Sequence, residues 1–271
     1  MSILNAIPEL WNVAMMSEME KAHVYGKICR CTIDAPITRQ GQSVHISGIG
    51  AIDIGAYTGT DITMQGLSDA GVTLIIDEAD YFDFWVNDVD ALQSNAKLMA
   101  EATHKAAYTM KDESDSNIYD AMVAGAGLSG PTEGDLNVTA AISNVAEMDL
   151  LMKEAEVPKE QRWLTMPHWL GTKLLLAGVY HAEDLKGNIN GFVTNVLGID
   201  MYESGNNDST VVLAGSYDAV AYAEQIVQTK AFSPEKRFGD ALKGLHVYGV
   251  KVVHPERLAL GGFTEATDTV I

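Results

Sequence analysis

The chain has 271 residues, 47% of them hydrophobic, and carries 18 Lys and Arg against 37 Asp and Glu, a formal net charge of −19. That length is enough for about two domains and a sizeable core, while so acidic a balance argues against a reader of nucleic acid and against an anionic membrane as partner. The opening MSILNAIPELWNVAMM lacks the basic flank and apolar core of a secretion signal, and no run approaches the ~18 apolar residues of a membrane span, so synthesis in the cytoplasm is expected.

From Pro8, the segment PELWNVAMMSEMEKAHVY spaces Leu10, Val13, Ala14, Met16 or Ser17, and Lys21 as a short helix, with Trp11 and Met15 beside the stripe. Such an arm packs either on its own domain or on a neighbouring subunit. Between Gly26 and Arg39 the stretch KICRCTI reads as extended. Cys29 and Cys31 would share one strand face there, which is poor geometry for a disulfide and only half a metal site, so two reduced thiols are expected. From Gly41 to Asp77, Val, Ile and Thr alternate with polar residues, and Gly48, Gly50, Gly55, Gly59, Gly66 and Gly71 punctuate the run. A hairpin so poor in large side chains is either an ordinary meander on its own sheet or a segment that finds its burial on another molecule.

Tyr81 to Val86 (YFDFWV) is the densest aromatic cluster and is expected to anchor the hairpin base. Asp88 to Ala124 then reads as one long amphipathic helix. Its stripe runs through Val89, Leu92, Ala96, Met99, Thr103, Ala106, Met110, Asn117 and Ala121, with Ile118 and Met122 beside it. Nothing inside is Gly or Pro; Asp88 or Asp90 can cap the start, and Gly125 and Gly127 close the end. At about 1.5 Å per residue the rod is roughly 50 Å long, too long for a small compact ball.

GAGLSGPTEGD reads as a loop. Its match to G-x-G-x-x-G at Gly125, Gly127 and Gly130 follows a helix and runs into Pro131, the wrong context for a dinucleotide site. Asn137 or Thr139 caps a helix, TAAISNVAEMDLLMKEAEV, stopped by Pro158. RWLTM is a strand, HWLGTKLLLAG a helix, NGFVTNVLGIDMYES two short extended pieces, and STVVLAGS a strand. YDAVAYAEQIVQT is read as a helix with Ala219, Tyr222 or Ala223 and Ile226 on one face. FGDALKGLHVYGVKVVHPERLAL holds a long alternating strand that can pair back beside the long helix, which would make the helix-bearing domain discontinuous. Mixed order of this kind points to an α+β fold.

The search for chemistry yields little. His23, His45, His104, His168, His181, His246 and His254 show no metal-ligand spacing, no Ser sits in a nucleophile elbow, and acid pairs such as Asp77–Glu78 and Asp112–Glu113 lie in polar stretches. No cofactor, metal or catalytic residue is expected, although a motif-poor α+β enzyme stays open.

Six stretches, in order, resemble the major capsid (coat) proteins of tailed bacteriophages, whose fold is shared with herpesvirus shells and encapsulins. They are IPELWNVAMMSEMEKAHVYGKICR, GQSVHISGIGAIDIGAYTGTDIT, VTLIIDEADYFDFWVNDVDALQSNAKLMAEATHKAAYTM, RWLTMPHW, GFVTNVLGIDMYES and KAFSPEKRFGDALKGLHVYGVKVVHPERLAL. The resemblance implies a phage major-capsid fold with four parts. These are an N-terminal arm and first strand (1–35), an extended loop (36–80), a peripheral domain with the spine helix (81–136 and 218–271) and an axial domain (137–217). It implies assembly contacts at Trp11, Met15, Arg39, Ile49, Ile52, Tyr57 and Met64, and a spine-helix core at Leu92, Met99 and Met110. The implied partners are further copies in hexamers and pentamers, a separate scaffolding protein, portal and decoration proteins, and packaged DNA held without specific contacts; no membrane is implied. The implied location is the virion. An encapsulin-like compartment shell is the alternative. Some members of that family cross-link through a Lys of the extended loop; Pro36 to Glu78 contains none, so a non-covalent shell is expected. Some also carry an N-terminal scaffolding segment removed by proteolysis, whereas this sequence starts almost at the arm.

Overall fold

The structure, a computed structural model, describes residues 24–30, 37, 39–48, 54, 64–66, 71–87, 97–180, 191–232 and 239–265. Their elements run α1 (Tyr25–Ile28), β1 (Ser43–Ile46), β2 (Val72–Ile75), β3 (Glu78–Asn87), α2 (Lys97–Gly125), β4 (Leu128–Leu136), α3 (Val138–Glu154), β5 (Arg162–Met166) and α4 (His168–Leu176). They continue through β6 (Phe192–Val196), β7 (Ile199–Glu203), β8 (Val211–Ser216), β9 (Val220–Phe232), β10 (Gly239–Val252) and β11 (Leu258–Glu265). The expected α+β class holds. The strands form a two-stranded ladder β1-β2, a three-stranded sheet β3-β10-β9 and a six-stranded sheet β4-β11-β8-β5-β7-β6.

The long helix α2 lies on the three-stranded sheet. Ala107 and Met110, with Ala106 partly buried, pack on Phe82 of β3, Ile226 of β9 and Leu242 of β10. Gly244, directly opposite Phe82, leaves room for that ring: a Cβ there would sit 2.3 Å from it. Further along, Ile118, Tyr119 and Met122 enter a second core with Tyr25, Ile28, Trp163, Tyr222 and Tyr248, where helix and both larger sheets meet. The third and largest core lies between the six-stranded sheet and α3 and α4, built on Met148, Met152, Leu164, Met166, Leu170, Leu174 and Phe263.

Local chemistry accounts for the ends of α3. The Asn137 side chain accepts from the N–H of Ala140 at 2.9 Å, as the capping reading expects. At the other end Glu156 adopts φ 56°, and the N–H groups of Glu156 and Val157 return to the carbonyls of Lys153 and Met152. This is the left-handed C-terminal closure that usually recruits Gly. Helix α4 closes the same way with Gly178 at φ 73°.

Three expectations change. GAGLSGPTEGD is not a loop from Leu128 on: it is β4, pairing in parallel with β11. Pro131 is tolerated because β4 is an edge strand and the register slips between Ser129 and Thr132, so no ladder bond is lost. YDAVAYAEQIVQT is a strand, β9, paired with β10 from Val220 to Phe232. Val220, Ala221, Tyr222 and Ala223 are all buried, and burial on both faces erases the two-residue alternation that marks a strand in sequence. KICRCTI begins as a helical turn, with Cys29 buried at its end; Cys31 lies outside the described residues. The described part of the long helix begins at Lys97, and β3 extends to Asn87; residues 88–96 lie outside the description.

The stripe of α2 also differs from its expected composition. Lys111, Ser114 and Asp115 are buried between Met110 and Ile118. Asp115, 1% exposed, accepts from the N–H of Val24 at 2.9 Å, and Ser114 bonds back to the carbonyl of Met110. From Val24 the chain continues between the helix and β9: the Arg30 N–H donates to Val220 O at 2.8 Å, and the Tyr222 N–H donates to Arg30 O at 3.2 Å.

Several phenols share these cores. Burial raises Tyr25, Tyr217 and Tyr222 above the ordinary tyrosine value, and pushes Tyr180, with Glu203 nearby, up to about 12. The Tyr180 hydroxyl donates to Gly171 O at 2.6 Å and that of Tyr217 to Asp200 at 2.8 Å. A group raised on folding contributes fully below its unfolded value and loses that contribution as pH rises towards the folded one. Urea midpoints are therefore expected to stay level with respect to tyrosine up to about pH 9 and to fall above about pH 10, where unfolded phenols ionise. Following the phenolate absorbance alongside the midpoint checks this. Glu156→Gly should raise stability by about 1 kcal/mol, because Gly adopts the left-handed position without a Cβ penalty; a thermal melt reads it.

Candidate assembly surfaces

The hairpin base is fixed by its own packing. Ile37, Leu74 and Ile76 bury against Ala223 of β9 and Val247 of β10, on the sheet face away from α2. Backbone bonds from Gly41 N–H to Ile76 O and from Ile76 N–H to Gln42 O, at 2.7 and 2.9 Å, clamp the two chains where they leave the sheet. β1 and β2 pair antiparallel from Ser43↔Ile75 to Ile46↔Val72, so residues 47–71 continue beyond a fixed stem. Gly71 is pressed against His45, 2.6 Å from where a Cβ would stand, so a larger residue would force the stem apart.

Beyond that stem the described apolar residues find little cover within this chain. Ile54 is 97% and Met64 93% exposed. From Gln40 to Asp77 the sequence has Asp53, Asp61, Asp69 and Asp77 but no Lys or Arg, so the segment is acidic in composition. The opposite kind of surface lies on the three-stranded sheet. Tyr81, Trp85, Leu245 and Phe232 are exposed there, and Lys243 Nζ stands 4.9 Å above the Phe232 ring. Aromatic residues with an interspersed cation are the composition of association surfaces. Beside it, a groove of about 680 Å³ opens between β3 and α2, floored by Phe82, Phe84, Ala106 and Met110, with Asp80, Lys105 and Glu113 at its polar positions.

Catalytic geometry is poorly supported. His168 approaches Glu203 at 3.2 Å and His254 approaches Glu256 at 3.0 Å, both on open surface and without a nucleophile in the contact. Among the described residues no group of His, Cys, Asp and Glu is placed to hold a metal ion. The most concentrated polar cluster is buried under α2: Tyr222 donates to Glu224 at 2.7 Å, His246 Nε2 lies 3.1 Å from the same carboxylate oxygen, and the His246 ring stacks on Tyr248 at 5.1 Å. Asn117 donates to the Tyr248 hydroxyl. Burial first, then the carboxylate of Asp80, raises Tyr248, which keeps it protonated. Short sequence motifs gave no hint of this cluster, because its members come from four elements.

Of the residues named for assembly, Arg39 and Met64 lie exposed, while Trp11, Met15, Ile49, Ile52 and Tyr57 fall outside the described residues. Of the helix residues, Met110 is 5% exposed in the core under α2; Met99 lies in α2 with its side chain undescribed, and Leu92 is outside the description.

Comparison with solved structures places the whole arrangement. A structure from Mycobacterium phage Che8 matches with a TM-score of 0.71 and 25% identity, over 88% of this chain and 90% of that one. The capsid of cyanophage P-SCSP1u matches with a TM-score of 0.70 at 14% identity, over 91% and 89%. A virus-like particle from Pyrococcus furiosus matches with a TM-score of 0.62, also at 14% identity, over 93% and 98%. No family model matches the chain, and no curated protein does.

Proposed function

We propose that this chain, whose fold is that of tailed-bacteriophage capsid shells, is a major capsid protein that self-assembles through hexamers and pentamers into an icosahedral shell enclosing double-stranded DNA. The observation that carries the proposal is the match over nearly the full length of both chains to proteins solved as capsids. The stem-held segment with Ile54 and Met64 exposed supports it, since apolar side chains left open in one subunit gain burial only against another. A heterologous contact of this kind, one patch of a copy meeting a different patch of the next, propagates into closed shells.

On this reading the arm (1–35) and loop (36–80) reach neighbouring copies. A peripheral unit stands on β3, α2, β9 and β10, and an axial unit stands on the six-stranded sheet. The pairing of β4 and β11 with β5 to β8 favours assigning them to the axial unit, beyond its expected 137–217 span. The protein acts as a structural component of the virion and catalyses nothing. Scaffolding, portal and decoration proteins are its further partners. The net charge of −19 suits a wall along which packaged DNA slides without being held.

The purified full chain should form megadalton rings or shells in sedimentation and negative-stain images. The double variant Ile54→Asp, Met64→Asp should give a folded subunit with wild-type melting that no longer closes shells. A small oligomer under all assembly conditions would overturn the proposal. The contents of particles made in cells separate a genome-bearing capsid from the alternative, an encapsulin-like compartment shell.

A further inference from the structure

His246 occupies the middle strand of the three-stranded sheet and is 0% exposed, so its ring has to be satisfied by protein groups. Its Nε2 is 3.1 Å from Glu224 Oε2 on β9, an oxygen that also accepts from the Tyr222 hydroxyl at 2.7 Å. Nε2 is therefore the donor in that contact. A neutral imidazole has only one N–H, which leaves Nδ1 as a lone pair, and Nδ1 is buried with no hydrogen-bond partner. Directly opposite in register on β3 stands Asp80, whose Oδ2 is likewise buried without a partner. Cross-strand residues in register project to the same face with Cβ atoms roughly 5 Å apart. Two buried acceptors thus belong to residues that face each other across neighbouring strands, with Asp80 also beside the Tyr248 hydroxyl.

We infer that His246 is the centre of a proton-operated latch: proton uptake at Nδ1 turns a ring held only by Glu224 into a bridge that also binds Asp80, joining β9, β10 and β3. No bond breaks; the proton comes from solvent, and the imidazolium donates at both nitrogens to two carboxylates. The other ionisable groups around the site are Tyr248 under the ring on β10, with Asp80 and Glu78 of β3 beside its hydroxyl, and Tyr222 on β9, with Asp115 of α2 nearby; Glu113 and Lys105 of α2 line the groove together with Asp80. β2, which packs on the other face of β10, brings no charge. The latch is a property of the folded subunit and does not depend on what that subunit builds.

The test compares the full chain with H246Q and D80N at fixed concentration, at about pH 5.5 and about pH 8, on either side of the range in which histidine titrates. A base that gains partners on protonation stabilises where it is protonated and loses that contribution as pH rises. The wild type should melt several degrees above H246Q at the lower pH, and the gap should close at the higher one. Hydrogen exchange should show β3 amides about tenfold better protected in wild type than in either variant at the lower pH alone. D80N should reproduce H246Q. A gap independent of pH, or D80N keeping the wild-type pH profile, would overturn the latch. Should H246Q fail to fold, D80N, which keeps the ring, decides the question by itself.

Discussion

A carboxylate buried in the middle of a helix has to find hydrogen-bond donors, and Asp115 finds one in the backbone of Val24. That single requirement ties the N-terminal segment to α2. Once Val24 is held, Tyr25 and Ile28 drop into the core beside Tyr119 and Met122, and Arg30 bonds to both flanks of Ala221 on β9. Residues 24–30 thereby become a wedge between helix and sheet. The helix, the three-stranded sheet and Trp163 of the six-stranded sheet all pack on it, so this short segment joins the two sheets through one core. Replacing the acid by an apolar residue would leave the Val24 N–H buried without its partner, the costlier half of a broken pair.

The sequence was most readable where one residue type has one local job. Asn137 as a cap, Pro158 and Pro167 as boundaries, and RWLTM as a strand all stand where the spacing placed them, because each is governed by its immediate neighbours. It was least readable where distant packing overrides local pattern. β9 looks helical since Ala, Tyr and Ile recur at helical intervals, yet β10 offers it a ladder from Val220 to Phe232 and outweighs a weak propensity. β4 looks like a loop because of its Gly and Pro content, and only the irregular register with β11 shows why those residues are tolerated. The polar centre of the α2 stripe was skipped for the same reason: Ser114 and Asp115 are absent from the expected apolar stripe, and only the partners they face explain their burial.

The surfaces divide similarly. Exposure of Ile54 and Met64 was foreshadowed by a hairpin without large core residues. The aromatic, lysine-bearing face on the three-stranded sheet was not, since Tyr81, Lys243 and Phe232 are far apart in sequence and meet only through the pairing of β3, β10 and β9. In composition the loop segment is acidic and free of Lys and Arg, whereas the sheet face is aromatic, with Lys243 opposite Asp83. Specificity in a protein contact comes from charge placement, while affinity comes from the apolar area covered.

The order of strands sets a clock on the birth of the molecule. β10 is the middle strand of one sheet and β11 lies between β4 and β8 in the other, and both come from the stretch Gly239 to Glu265, after every other strand described. Neither sheet can close while the ribosome still holds that stretch. A nascent chain that has not yet released β10 and β11 therefore leaves α2 and the earlier strands unpaired, a state open to chaperones and proteases. Translation itself acts as a checkpoint: only a chain read through β11 can complete both sheets.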